Sequence, residues 1–214
     1  IKTGKGGFSA EVVSPKLYGE EGLKQLEKVV TEISKLGGRV KTGVEQNCGV
    51  HVHHDMEDIY SQEHNIQDIA KAFYSIQEPL YALCHKERSS NDFCEKLNFS
   101  GENVNTGGRG GFNLHTRHNT VEFRMREGLI DPKAIVRWVR LTKSIVEEIR
   151  KLYKDETIRI KKDIREGFDK IFDAIILEKS LQYKEKKDIG SMSLEETSKA
   201  LRMSKLLLGD GNGL

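Results

Sequence analysis

The chain has 214 residues, of which 32% are charged and 36% hydrophobic, and 35 Lys and Arg against 33 Asp and Glu leave a formal net charge of +2. That length suits one large domain, or one domain with a helical extension. The near balance of charge gives no general attraction for nucleic acid or an anionic membrane, no apolar run approaches the ~20 residues needed to cross a bilayer, and the opening residues are not expected to be a signal peptide.

Taken in chain order, residues 2–7 read as a glycine-rich loop and residues 8–13 as a short strand stopped by Ser14-Pro15. A helix is predicted from Glu20 to Leu36, because Leu23, Leu26, Val30 and Ile33 recur at helical spacing and Gly37-Gly38 ends the pattern. Residues 39–41 suit a short edge strand. The run His51-Val52-His53-His54-Asp55 follows as a second strand. Asn65 caps a helix carrying Ile66, Ile69, Phe73, Ile76, Leu80 and Leu83, with a kink or break expected at Pro79. A shorter helix is expected over 92–97 and a glycine-rich loop over 98–111. Strands at 112–115 and 120–126 form a hairpin about residues 116–119, and Asp131-Pro132 opens a long helix as cap and first-turn residue. Beyond Tyr153 the strands vanish, Ile164, Phe168, Ile171 and Ile175 mark an amphipathic helix, and Ser193-Leu194-Glu195-Glu196 is a capping-box pattern for a last one. The order implies an α+β fold with a mostly antiparallel sheet, helices on one face and a helical tail. The expected division is a catalytic domain at 1–153 and a charged helical extension at 154–214.

Two strands carry the chemistry. Side chains alternate along a strand, so His51, His53 and Asp55 share one face, and on the later strand Glu122, Arg124 and Arg126 share one face against Val121, Phe123 and Met125. A lone strand histidine most often serves local hydrogen bonding, and a Glu/Arg ladder is most often a solvated ion-pair row. Here the two occur together, each opposite an apolar face. Imidazoles ligate metals, carboxylates hold hard cations, and a planar guanidinium grips phosphate or carboxylate. The HxHxD spacing also suits a metal-dependent hydrolase, but the position after Asp55, where such sites need another histidine, is Met56. Glu11 is a third acidic candidate, provided its strand lies beside the other two. The three cysteines, Cys48, Cys84 and Cys94, lack CxxC spacing and read as free thiols of a reducing, cytoplasmic compartment.

The motifs EVVSP, GEEGL, NCGVHVHHD, RSSNDFC, FNLH and TVEFRMREG, in that order over roughly residues 8–150, resemble the amidoligase family, which is similar to glutamine synthetase and glutamate–cysteine ligase in its catalytic sheet. The resemblance implies a sheet of the glutamine synthetase type and an ATP-dependent carboxylate–amine ligase working through an acyl phosphate. It implies ATP and Mg²⁺ or Mn²⁺ as cofactors, and small-molecule or peptide carboxylates and amines as substrates. It further implies Glu11, His51 and Glu122 as metal ligands, and Arg124 and Arg109 as catalytic residues. His53, Asn113 and Arg126 are implied on the nucleotide or substrate. The family's opening G-x-E-x-E strand is missing before Phe8 and the first residue is Ile, so a fragment is expected. A metal-dependent hydrolase built on His51, His53 and Asp55, and a degenerate ligase fold serving as an interaction module, are the alternatives.

Overall fold

A computed structural model describes residues 10–40, 48–60, 66–100, 103–104, 109–115, 118–154 and 161–184. Helix α1 (Gly19–Lys35) has Glu20 and Glu21 in its first turn and Lys35 in its last, which complements the helix dipole. Gly37, at φ 78°, takes the left-handed conformation that closes the helix. The Gly37 amide then donates to the Ser34 carbonyl (3.1 Å), and the Gly38 amide to that of Ile33 (3.0 Å). This is a Schellman ending.

Strand β1 (Gly49–Asp55) leads through a single turn, α2 (Glu57–Tyr60), to α3 (Ile66–Tyr81). Pro79 lies in the last turn of α3, and the helix stops two residues later. A 3₁₀ turn (Lys86–Ser90) and a two-residue hairpin, β2 (Phe99–Ser100) and β3 (Asn103–Val104), precede β4 (Phe112–His115) and β5 (Thr120–Glu127). Asp131 then caps α4 (Pro132–Lys154), its Oδ1 accepting from the Lys133 amide (3.0 Å) and the Ala134 amide (3.2 Å). Helix α5 (Lys161–Lys184) is the last described element.

Strands β1, β5 and β4 form a three-stranded sheet in that order, antiparallel throughout. Its apolar face is the core. Val52, Val121, Phe123 and Phe112 meet Phe73 of α3, Trp138, Ile145 and Ile149 of α4, and Ile171, Phe172 and Ile175 of α5. The rings of Phe73, Phe112 and Phe123 lie 4.9–5.7 Å apart, within the range where aromatic edges and faces attract. The α+β expectation holds as a mixed fold with a small antiparallel sheet, and helix α5 shares the core with α4.

Several expected elements differ. Residues 10–13 form no strand; Val12 and Val13 are 67% and 80% exposed, and without a sheet partner two β-branched residues do not fix an extended segment. Residues 8 and 9 lie outside the described residues, as does Lys41 of the expected edge strand, whose other two residues are irregular. Residues 92–97 are turns and a bridge rather than a helix, because Asn91 Oδ1 accepts from the Phe93 amide (2.8 Å) and Glu95 bridges Gly110. The hairpin β2–β3 occupies part of the expected 98–111 loop. The helix expected from Ser193 lies outside the described residues.

One core-facing polar group makes stability depend on pH. His54, opposite in face to His51 and His53, stands edge-on to Phe123 (5.7 Å), and its Nε2 pairs with Thr142 Oγ1 (2.8 Å). Burial, aided by the positive charges of Lys143 and Arg150, lowers its pKa to about 4. The unfolded chain then binds the extra proton between pH 6.5 and 4. The stability from neutral His54 is therefore complete above pH 6.5 and is lost as pH falls towards 4, to an extent of roughly 3 kcal/mol. Urea unfolding of wild type and His54→Phe at pH 7 and pH 4.5 isolates this effect from the carboxylates. The expected result is a smaller acid loss in the variant; equal losses in both proteins would remove His54 as the cause.

Candidate active site

The face of the sheet opposite the core converges on Glu122. Pairing sets this directly: Asn113 of β4 and His53 of β1 are the two cross-strand partners of Glu122 on β5. The Glu122 side chain is 4% exposed. Its Oε1 lies 3.3 Å from His51 Nδ1 and 3.4 Å from His53 Nε2. Asn113 Nδ2 donates to Oε2 (3.1 Å), and Arg124 Nη1 lies 3.3 Å from both oxygens. The carboxylate is thus desolvated but surrounded by donors and one full positive charge, the condition under which a buried charge is tolerated. The imidazoles are more open, 34% exposed at His51 and 50% at His53, so a ligand reaches this cluster from their side.

A β-bulge shapes the cluster. Pairing steps from Val50↔Arg126 to Val52↔Phe123, so that β5 advances three residues while β1 advances two. Arg124 and Met125 together face the single position His51. Such an insertion bends the strand and re-aims side chains. Arg124 points to Glu122. Arg126, expected beside it, is turned inward instead: it is 1% exposed, stacks over Trp138 (5.4 Å) and donates to the Leu83 carbonyl. The expected Glu122–Arg124–Arg126 face is therefore corrected at its last member, because strict alternation ends at the bulge.

Arg124 is held at its other side by the Phe93 carbonyl, which accepts from Nε at 3.3 Å. The guanidinium of Arg109 lies 4.8 Å over the Phe93 ring, so the two expected catalytic arginines meet the same residue, Arg124 at its carbonyl and Arg109 at its ring, which is 38% exposed. Asp55 stands at the end of β1, opposite Thr120. Its Oδ1 accepts from the Glu57 amide (3.2 Å) and so starts α2. Glu11 sits exposed on the irregular segment before α1, outside the sheet. The structure thus brings together His51, His53, Asn113, Glu122 and Arg124, with Arg109 close by through Phe93.

Two residues absent from the sequence-based candidates belong to the support of this site. Arg88 is 1% exposed and donates to the carbonyls of Arg124 and Met125 at the bulge. Glu127 accepts from the His85 amide (2.9 Å) and lies 3.5 Å from Arg126. Arg88 stands in the RSSNDFC motif, but an arginine in a polar turn gives no sign in sequence that it will be buried. The thiols of Cys84 and Cys94 are pushed up by burial, so neither is a ready nucleophile, and all three cysteines are free.

Among the described residues, no group of three or more His, Cys, Asp or Glu side chains is placed to hold a metal ion. His51, His53 and Glu122 therefore make no metal site by themselves, and a divalent ion at this face would need further oxygen ligands from waters or substrate phosphates. No described helix is long and apolar enough to cross a membrane.

Residues 3–100 match the family described as a putative amidoligase enzyme. The match supports the amidoligase resemblance and, with it, a ligase class of enzyme. It spans slightly under half of the chain and takes in Glu11, His51, His53 and Arg88. Strands β4 and β5, which carry Asn113, Glu122 and Arg124, lie beyond it. No curated protein and no solved structure matches the chain.

Proposed function

We propose that this protein is an ATP-dependent carboxylate–amine ligase that forms an amide or isopeptide bond through an acyl phosphate, on a sheet of the glutamine synthetase type. The observation that carries this reading is the buried Glu122 carboxylate, with two accessible imidazoles on one side and an arginine on the other. Phosphoryl transfer from ATP to a carboxylate asks for positioning and charge neutralisation more than covalent help from the protein.

In this reading His51, His53 and Glu122 would hold a divalent ion only together with oxygen ligands from waters or substrate phosphates. When bound, that ion neutralises phosphate charge. Arg124, kept in place by Glu122 and the Phe93 carbonyl, offers its fork to the phosphoryl group and then to the acyl phosphate. Arg109 extends the positive charge towards a second substrate anion. The Asn113 amide and the Arg124 guanidinium hold the Glu122 carboxylate oriented. An amine then attacks the acyl carbon, phosphate leaves, and the ammonium proton is given up to solvent. Glu11 adds a further carboxylate only if its segment reaches the sheet in the complete site.

The choice of ion follows from the donors. With two imidazoles to one carboxylate in the sheet cluster, Mn²⁺ is favoured over Mg²⁺, which prefers oxygen. The expected result is Mn²⁺ binding that is weak alone and tighter with ATP, read by the electron paramagnetic resonance of free Mn²⁺. Stoichiometric Zn²⁺ that survives EDTA dialysis would support the hydrolase alternative instead. The function itself is tested by ATP consumption with pools of carboxylates and amines, followed by mass detection of an amide product. ATP-independent hydrolysis in the same pools would displace the ligase reading.

A further inference from the structure

We propose that Arg88 is a positioning residue for the Glu122 site: its guanidinium replaces the ladder partners that the β5 bulge lacks, and so fixes Arg124 against Glu122. That role in catalysis rests on the ligase reading above, while the positioning itself rests on geometry alone.

The bulge creates the need. Where β5 advances three residues against two, Arg124 and Met125 share one partner position on β1; a bulge disrupts the ladder locally, and buried carbonyls left unpaired are costly. Arg88 supplies both bonds, Nη2 to the Arg124 carbonyl (2.7 Å) and Nε to that of Met125 (3.1 Å). Two consecutive carbonyls match the spacing of a planar fork, which a lysine ammonium does not reproduce. Gly49 leaves the room. A Cβ there would lie 3.0 Å from Arg88 Nη2, 3.1 Å from His51 Nε2 and 3.2 Å from the Arg126 carbonyl. The small residue at the start of β1 therefore lets the Arg88 fork and the His51 ring approach the same point.

The anchor continues along the chain. The Arg88 carbonyl accepts from Cys94 Sγ (3.2 Å), next to Phe93, whose own carbonyl holds Arg124 Nε. Arg124 is thereby fixed at two places by one segment, through its backbone by Arg88 and through its side chain by Phe93. Its amide is fixed in turn by the Gly111 carbonyl (2.8 Å). The direction of the Arg124 side chain, and the inward turn of Arg126, follow from a bulge locked at this register.

The test reads Arg124 directly. In protein labelled with ¹⁵N-arginine, Arg124 Nε–H gives a resonance distinct from that of free arginine. In folded Arg88→Lys this resonance is expected to move to the solvent-exposed position, and ATP-dependent turnover to fall about 10²-fold, the typical cost of a displacement near 1 Å. An unmoved Arg124 resonance in folded Arg88→Lys overturns the positioning role. If the lysine variant does not fold, the wild-type protein decides. Scalar coupling across the hydrogen bond between Arg88 Nε and the Met125 carbonyl carbon is expected, and its absence overturns the proposal. Neither the Arg124 resonance nor the coupling involves a substrate. A wild-type protein with the coupling but no ATP-dependent product therefore discards the ligase reading and leaves the bulge lock standing.

Discussion

Arg124→Lys is expected to lower amide formation by a factor of 10²–10³, mainly in kcat, while the protein stays folded; the size is on the order of that for removing one preorganised donor. The arginine donates from Nη1 to both oxygens of Glu122 and from Nε to the Phe93 carbonyl. A lysine keeps the charge beside Glu122 but cannot hold both partners and still present a free edge to a phosphoryl group. If Arg124 were only a rung of a surface ion-pair row, the change would cost less than about 1 kcal/mol of stability and leave turnover intact. Product formation and melting temperature, measured on both proteins, separate these outcomes. Near-wild-type turnover would take Arg124 out of the site and remove most of the case for a ligase.

Glu122→Gln removes the centre of the cluster at nearly constant volume. Turnover is expected to fall by a factor on the order of 10³, since a charge-stabilising ion in the transition state is worth several kcal/mol, and Mn²⁺ uptake in the presence of ATP should be lost with it. The amide still accepts from Asn113 or Arg124 through one oxygen, so the fold should persist. Retained Mn²⁺ uptake together with retained activity would mean that Glu122 only satisfies its neighbours. This variant also distinguishes the ligase from a hydrolase centred on His51, His53 and Asp55. In that alternative Glu122 is not a ligand, and Zn²⁺ binding survives its replacement.

The sequence by itself determined the strands and helices whose periodicity is long and clean. Alternation in the HVHHD and VEFRM runs assigned His51, His53, Glu122 and Arg124 to one side and Val52, Val121 and Phe123 to the other, and the sheet keeps that assignment. The Asp131 cap and the helical spacing of α1, α3 and α4 were equally local, because capping and amphipathicity are decided within a few residues. What needed tertiary structure was everything set by pairing register and by burial of charge. No local pattern announces the bulge opposite His51, which ends alternation at Met125 and sends Arg126 beneath the sheet against Trp138. Nor does the RSSNDFC turn announce that Arg88 is 1% exposed under the site. The short segment 10–13 reads as a strand by composition, yet its residues are irregular and exposed. A strand exists only where a neighbour accepts its hydrogen bonds, and that neighbour is a property of the whole chain rather than of four residues.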